Sequence, residues 1–402
     1  MVNNIQDGVS MSLLDKVRNF TEADRVREMG NYPYFRVISS EQDTVVTMNG
    51  RRMLMMGSNS YLGLTNHPRV KEAAIAALRK YGTGCAGSRF LNGTLDIHIE
   101  LEAALAKFVG KDAALCFATG YQSNLGAIQS MVSRNDYIVT DKFDHASIID
   151  GCKLSGGKMV RFAHNNMVDL VRVMETIKGK NALIVVDGIF SMEGDIAPVK
   201  EICEIAEKYN VSVMVDEAHS LGVMHHTGAG VAMATGCTDR VELIMGTFSK
   251  SLASVGGFIA GSYKVMDYMK HTARPLIFSA SLPPASTASV LEALKIMQEE
   301  PERIEKLWEN THFMAKNFKQ MGFNIGPSCT PVIPLHVGGL DNAFMMWKML
   351  DEEGVFINPV VPPAVPPNDT LIRTSFMATH TRDQLTEALE KFEKIGKRIG
   401  LI

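Results

Sequence analysis

From about residue 66 the apolar positions fall into two alternating patterns. Asn66 precedes Pro68 and the helical run VKEAAIAALRKY, which stops at Gly82. Proline just inside the start and glycine just past the end are the ordinary punctuation of a helix. A second helix is expected over 96–109 (DIHIELEAALAKFV). Short continuous apolar runs then take turns with helical ones. The expected strands are AALCFA (113–118), YIVTD (137–141), MVRF (159–162), ALIVVD (182–187), SVMVDE (212–217), ELIMGTF (242–248) and GGFIAG (256–261), with helices such as Met167–Ile177 and Val199–Tyr209 among them. Strands that are apolar throughout and separated by helices belong to a mostly parallel sheet covered on both faces, an α/β fold. The last two lie too close together for a helical crossover, so one of them is expected to run antiparallel.

The flanks read differently. Residues 1–50 are polar and mixed, with one amphipathic stretch around Leu13–Val26, and predict an entry arm. Beyond LPPAS (282–286) a long helical region runs to about 320. The segment 330–402 then reads strand, helix, strand, strand, helix: VIPLHV, NAFMMWKMLDEEG, VFINPV, LIRTSFM and RDQLTEALEKFEKIGKR. The expected division is an arm over 1–57, a large domain over 58–285, and a linking helix with a smaller α/β domain over 286–402.

Composition narrows the class. The chain has 402 residues, 41 Lys+Arg against 44 Asp+Glu (net −3), 46% hydrophobic and 21% charged residues. That is the balance of a folded globular protein, with no basic excess pointing to nucleic acid. The six cysteines (Cys85, Cys116, Cys152, Cys203, Cys237 and Cys329) form no CxxC pair, which fits a reducing compartment better than a zinc site or a disulfide framework. The N-terminal residues lack the basic and apolar regions of a signal peptide, and no apolar run approaches the roughly 18 residues of a membrane span. A cytoplasmic protein is expected. The 25 methionines, Met53, Met55 and Met56 among them, read as core filler rather than the wall of a long apolar channel.

Three motif matches carry little. Gly82, Gly84 and Gly87 have dinucleotide-fingerprint spacing but follow a helix rather than a strand. Asp216–His219 spells a helicase motif without the phosphate loop such an enzyme needs. The adjacent His225 and His226 cannot present two imidazoles on one helix face to a metal.

Ligands of parallel α/β sheets bind at the carboxyl ends of the strands. After AALCFA comes Thr119-Gly120-Tyr121-Gln122-Ser123-Asn124, a small-residue turn opening a helix and a natural phosphate cradle. Other strand ends bring Asp144, His145 and Ser147; Gly188, Ser191, Glu193 and Asp195; Asp216, Glu217 and His219; and Thr247, Ser249 and Lys250. Each alone has a plain structural explanation. Together they assemble a lysine, carboxylates, two histidines and hydroxyls on one sheet edge, the set that pyridoxal phosphate requires. Spacing by itself does not select that cofactor.

The motifs GTGCAGSRFLNGTLDIH (82–98), DHASIIDG (144–151), DGIFSMEGD (187–195), DEAHSLG (216–222), GTFSKSLASVGGF (246–258) and NPVVPPAVP (358–366) do. With them, from SNSYLGL (58–64) to LIRTSFMATH (371–380), the chain resembles the α-oxoamine synthases. These are fold type I pyridoxal-phosphate transferases with a large, mostly parallel seven-stranded sheet and a smaller C-terminal α/β domain. They condense an amino acid with an acyl-CoA. GSRFLNGT and GTFSKSLAS resemble most closely the members that join L-serine to a long-chain acyl-CoA, palmitoyl-CoA, in sphingolipid synthesis. The alternatives are 2-amino-3-ketobutyrate ligase (glycine and acetyl-CoA), then 8-amino-7-oxononanoate synthase and 5-aminolevulinate synthase.

The resemblance implies a role for each matching residue. Lys250 would carry the cofactor as a Schiff base and later act as base at Cα. Asp216 would pair with the pyridinium nitrogen, His219 with the phenolic oxygen, and His145 would stack on the ring and help orient the substrate carboxylate. Gly120, Tyr121, Thr247 and Ser249 would meet the phosphate, with Ser279 reaching in from a second subunit, and Ser191 would support the ring. Arg373 would take the amino-acid carboxylate, assisted by Asn59. Ser191 and Asn59 serve equally well as structural turn residues, and Asp187 and Glu193 read as caps or supporting groups. A homodimer with sites at its interface is implied, with no nucleic-acid partner, no metal and at most peripheral association with the inner membrane.

Overall fold

The computed structural model describes residues 12–362, 364–366 and 368–402. The N-terminal eleven residues of the expected arm, and Pro363 of the run 358–366, lie outside the described residues.

Thirteen strands are described, and β3 (Ala113–Phe117), β4 (Tyr137–Asp141), β5 (Lys158–Phe162), β6 (Ala182–Asp187), β7 (Ser212–Asp216), β8 (Leu243–Thr247) and β9 (Gly257–Gly261) form the large sheet. Their order is β3-β9-β8-β7-β6-β4-β5. β9 pairs antiparallel with both β3 and β8, while the other pairs are parallel. The short connection between β8 and β9 leaves no room for a crossover, as its length implied. Leu183, Ile184, Val185 and Val186 of β6 are all buried, because helices cover both faces of the sheet.

The flanking regions are tied together in a way the pattern did not show. β1 (Val45–Met48) and β2 (Arg51–Met55) form a hairpin through Asn49 and Gly50, both at positive φ (49° and 73°). Asn-Gly is the pair such a tight turn favours. These strands fall within the segment read as an arm, yet β2 pairs in parallel with β11 (Val355–Phe356). The run VFINPV is therefore two strands: β11 joins the hairpin, and β12 (Asn358–Val360) joins β13 (Leu371–Ser375), which also pairs with β10 (Val332–His336). Leu54 and Met56 are buried in one cluster with Phe318, Trp347, Ile372 and Phe392. Met53, Met55 and Met56 are core residues, as their composition suggested.

The amphipathic stretch near the start is two short helices, Asp15–Arg18 and Glu22–Glu28, with no buried residue. The long helical region is also divided, into Pro284–Glu299 and Glu302–Met321, at Glu300-Pro301. Proline has no N–H to continue the first helix but suits the start of the second. All six cysteines are free thiols. Among the described residues, no helix is long and apolar enough to cross a membrane.

Candidate active site

At the carboxyl edge of the large sheet lies a cavity of about 300 Å³. Its walls include Gly120, Tyr121, His145, Ser191, Asp216, His219, Thr247, Ser249 and Lys250, which sequence separates by up to 130 positions. Each stands just past a strand or at a helix start, so the topology brings them to one place.

The floor is acidic and tightly held. Asp216 ends β7 and is buried; its Oδ1 accepts the Ala218 N–H at 2.8 Å and its Oδ2 the Asn124 amide at 2.8 Å. The same Asn124 amide reaches Ser147 Oγ at 2.8 Å, and Ser147 Oγ lies 2.7 Å from His145 Nδ1. His145 caps the helix Ala146–Ser155, and its ring is open to the cavity. Its backbone N–H donates to Asp187 Oδ2 at 2.9 Å. Burial, followed by the neighbouring Asp216, holds the Asp187 carboxyl well above the ordinary range. Asp187 is thus a supporting group of the His145 turn. Glu193 is not a helix cap: it pairs loosely with His336 at 3.6 Å.

Lys250 makes no ion pair among the described residues. Burial pushes its amine down to about 8, against the opposing pull of Asp216 and Asp187 and with added repulsion from Arg373. A buried lysine that sheds its proton this readily is a nucleophile near neutral pH. His219 is lowered further, by burial first and then by Lys250 and Arg373, so its imidazole is neutral; its Nδ1 lies 2.7 Å from the buried Tyr61 hydroxyl. His145 is also lowered, with desolvation leading.

The opposite end of the cavity is built for an anion. Thr119 caps the helix Gly120–Met131, accepting the Gln122 N–H at 3.1 Å, and the N–H groups of Gly120 and Tyr121, both in the cavity wall, have no partner among the described residues. A Cβ on Gly120 would come within 2.7 Å of Thr247 Oγ1, and one on Gly257 within 2.6 Å of the Gly120 Cα. Only glycine lets these two loops approach so closely. Thr247 Oγ1 and Ser249 Oγ are 3.0 Å apart beside them. The Tyr121 hydroxyl turns away and donates to Asp150.

Arg373 and Asn59 join the site through Ser191. Arg373, buried in the middle of β13, donates from Nε to the Ser191 carbonyl at 2.7 Å and from Nη2 to Asn59 Oδ1 at 3.0 Å. Among the described residues it has no acidic partner. Ser279 lies off the cavity of its own chain, where its Oγ accepts the Gln122 amide at 3.0 Å. A second cavity of about 420 Å³ adjoins at Ser191, with Phe143, Phe190, Met192 and Val365 in its walls, Lys142 and Arg161 as its cations, and Asp144 and Glu193 as its acids.

Tyr61 escaped the reading of the sequence as a site residue, and Asn124 was read only as the end of the phosphate-cradle turn and not as the partner of Asp216. Asn124 left a signal: a polar residue one turn into a helix whose other inward positions are small or apolar.

The helicase-like letters and the paired histidines have structural uses. Glu217 is buried and accepts the N–H groups of Val231 and Ala232 at 2.8 and 2.7 Å. His225 sits in a loop at positive φ with Nδ1 against Thr227.

The profile of the aminotransferase class I and II family matches residues 51–392. The chain belongs to that family. It is 54% identical to the serine palmitoyltransferase of Sphingobacterium spiritivorum over 387 residues, 96% of this chain and 97% of that one. It is 40% identical to the 8-amino-7-oxononanoate synthase of Thermoanaerobacter pseudethanolicus over 381 residues, covering 94% and 96%. A high-resolution structure described as SPT with a PLP internal aldimine superposes with a TM-score of 0.94 at 35% identity, covering 98% of this chain and 100% of that one. The fold is that of the fold type I pyridoxal-phosphate transferases, and the relatives are consistent with an α-oxoamine synthase.

Proposed function

We propose that this chain joins L-serine to a long-chain acyl-CoA, palmitoyl-CoA in the simplest case, releasing coenzyme A and carbon dioxide and giving 3-ketodihydrosphingosine (3-oxosphinganine). The observation that carries this reading is one site holding a buried, easily deprotonated Lys250, an acidic floor at Asp216, and a buried Arg373 guanidinium with no acid to pair with. Within the family, the choice of serine and palmitoyl-CoA is supported by the 54% identity to a serine palmitoyltransferase.

The site fits pyridoxal phosphate. Lys250 would hold it by its amine, Asp216 at the ring nitrogen, His219 at the phenolic oxygen and His145 against the ring face, with Ser191 in support. The Gly120-Tyr121 helix start, Thr247 and Ser249 would hold the phosphate in the space that Gly120 leaves open. When bound, the cofactor supplies an electron sink for the charge left at the substrate Cα.

The chain's own residues do the rest. The Arg373 fork matches a carboxylate with two parallel hydrogen bonds, and its present partners, Ser191 O and Asn59 Oδ1, fix its plane. Lys250, neutral once displaced, takes the proton from the serine Cα and returns one later. When the Tyr61 hydroxyl donates to Nδ1, the neutral His219 carries its proton on Nε2, the tautomer that would serve as a donor to the phenolic oxygen. The acyl thioester would take the second cavity, whose apolar side chains would meet the acyl chain and whose cations Lys142 and Arg161 stand beside the acids Asp144 and Glu193. In this reading the chain is a cytoplasmic homodimer, Ser279 of one copy serves the phosphate of the other, and contact with membrane is peripheral.

The test is a coenzyme A release assay on the pyridoxal-phosphate-loaded protein, crossing serine, glycine and alanine with acetyl-, pimeloyl- and palmitoyl-CoA. Turnover restricted to serine with palmitoyl-CoA is expected. Preference for glycine with acetyl-CoA, or alanine with pimeloyl-CoA, would keep the cofactor site and refute the substrates.

A further inference from the structure

Behind the shared Ser191 wall, one histidine lies between two carboxylates. His164, just past β5, has Nδ1 2.9 Å from Asp141 Oδ1 and Nε2 2.8 Å from Asp195 Oδ2. Both acids also accept other N–H groups: Asp141 those of Phe143 and Asn165 (2.8 Å each), Asp195 the Asn165 amide (2.7 Å). Carboxylates that only accept require a proton on each ring nitrogen, so the ring is an imidazolium. Burial works against that charge, but the hydrogen bonds and charges of Asp141 and Asp195 outweigh it and lift the group to about 9. Phe143 covers the ring at a centroid distance of 4.5 Å, and Phe190 meets it edge-on at 4.4 Å.

What this ion triad fastens is the loop Phe190–Asp195. Phe190 N–H donates to the Asp195 carbonyl at 3.0 Å and Gly194 N–H to the Phe190 carbonyl at 2.9 Å, closing the loop on itself. Ser191 stands in that loop, and its carbonyl is the acceptor for Arg373 Nε. We propose that His164 is a positioning residue for the amino-acid substrate: its doubly hydrogen-bonded ring pins the Phe190–Asp195 loop to the end of β4, and so fixes the Ser191 carbonyl that orients the Arg373 guanidinium. The inference rests on Arg373 as the carboxylate receptor. Without the cation, two buried carboxylates face each other, and Asp195 Oδ1 already lacks a partner, so the loop must open. Arg373 then keeps its charge but loses the acceptor that sets its plane.

The experiment uses His164→Gln. Serine binding to the pyridoxal-phosphate-loaded protein is read from the cofactor's absorbance, without acyl-CoA. Hydrogen exchange of the peptide spanning 188–196 is read in the cofactor-free chain. Serine affinity is expected to fall about tenfold, the scale of a misplaced binding group. The turnover number at saturating serine should stay within roughly twofold, and the peptide should exchange faster. His164→Gln/Asp195→Asn sets neutral amides against each other and should restore most of the affinity; Asp195→Asn alone, which keeps the ring, should cost about threefold. Unchanged serine affinity in His164→Gln, or a double variant no better than the single, overturns the proposal. Arg373→Ala, run in parallel, separates the two readings. If it leaves serine affinity intact, the carboxylate reading itself falls, whereas a weakened Arg373→Ala beside a normal His164→Gln removes only the positioning role.

Discussion

The two sheets that meet at Ser191 and Arg373 treat charge in opposite ways. The carboxyl edge of the large sheet gathers Asp141, Asp144, Asp187 and Asp216, all buried, with Lys250 and the His164 imidazolium among them. The sheet of β10, β12 and β13 carries one buried charge into the site, Arg373. Five residues past β13, His380 is more deeply buried than the half-buried His164, and it is neutral: its Nδ1 accepts the Met377 N–H at 2.9 Å and its Nε2 donates to the Met55 carbonyl at 3.0 Å. Burial lowers His380 to about 4, where carboxylates raise His164 to about 9. The difference lies in backbone supply. Strand ends free N–H groups that solvate carboxylates, as the Phe143 and Asn165 N–H groups do for Asp141 at 2.8 Å each. The middle of a paired strand has none to spare, so a single guanidinium there stays short of an anion, which suits it to bind one.

The largest effect falls on the charged edge. Lys250→Ala should lower coenzyme A release more than about 10³-fold, because nothing else there can both hold the cofactor covalently and move the Cα proton. Retained turnover together with the wild-type cofactor absorbance would sink that assignment. On the other sheet, Arg373→Ala should raise the serine requirement about 100-fold, and that for palmitoyl-CoA less than about threefold. Arg373→Lys should recover only part, since an ammonium cannot make the two-pronged contact. Equal losses for both substrates would show that Arg373 does something other than grip the carboxylate.

His164 and His380 give opposite pH limbs for the cofactor-free chain. His380 has a folded pKa below its unfolded value, so its contribution is intact above about pH 6.5 and fades as pH falls toward 4. By pH 5 that is a loss of about 2 kcal/mol. His164 is raised, so its contribution is complete below about 6.5 and is lost as pH climbs through about 9. His380→Gln, whose amide can replace one acceptor and one donor, should flatten the acid limb of a urea-unfolding series and leave the alkaline limb alone. An unchanged acid limb would place that sensitivity elsewhere.

The large sheet was legible because its strands are apolar on both faces and its connections have distinctive lengths. The gathering of residues at its strand ends around one cavity was legible for the same reason. The hairpin of β1 and β2 was not, because VVTM and RRMLM lie in a polar segment and RRMLM finds its apolar partner some 300 residues later, at Val355 and Phe356. Asn49-Gly50 was the local signal available. The division of VFINPV depends on which neighbour each half pairs with, information that no local pattern holds. The contacts of Tyr61, Asn124 and His164 were missed for a related reason: each is made to a group elsewhere in the sequence, at His219, Asp216 and Asp141 respectively.

The anion end of the cavity permits a finer test, in which a single methyl group should separate cofactor binding from substrate binding. Alanine at 120 puts a Cβ 2.7 Å from Thr247 Oγ1, 3.0 Å from Thr247 Cβ and 3.2 Å from Met245 Cε. The methionine end can swing aside. Thr247 cannot do so freely, because its Oγ1 is already tied to Ser249 Oγ at 3.0 Å and donates to the Gly256 carbonyl at 3.2 Å. Relief therefore comes from moving the helix start or the Thr247-Ser249 turn, the two groups assigned to the phosphate. Arg373 and Ser191 lie on other elements and should not feel the change. Gly120→Ala should thus weaken pyridoxal phosphate about tenfold, roughly 1.4 kcal/mol, in a titration of the cofactor-free chain. Serine affinity of the fully loaded enzyme should stay within about twofold. If cofactor affinity holds while serine binding drops, the phosphate does not lie against Gly120, and the anion end of this cavity serves the substrate instead.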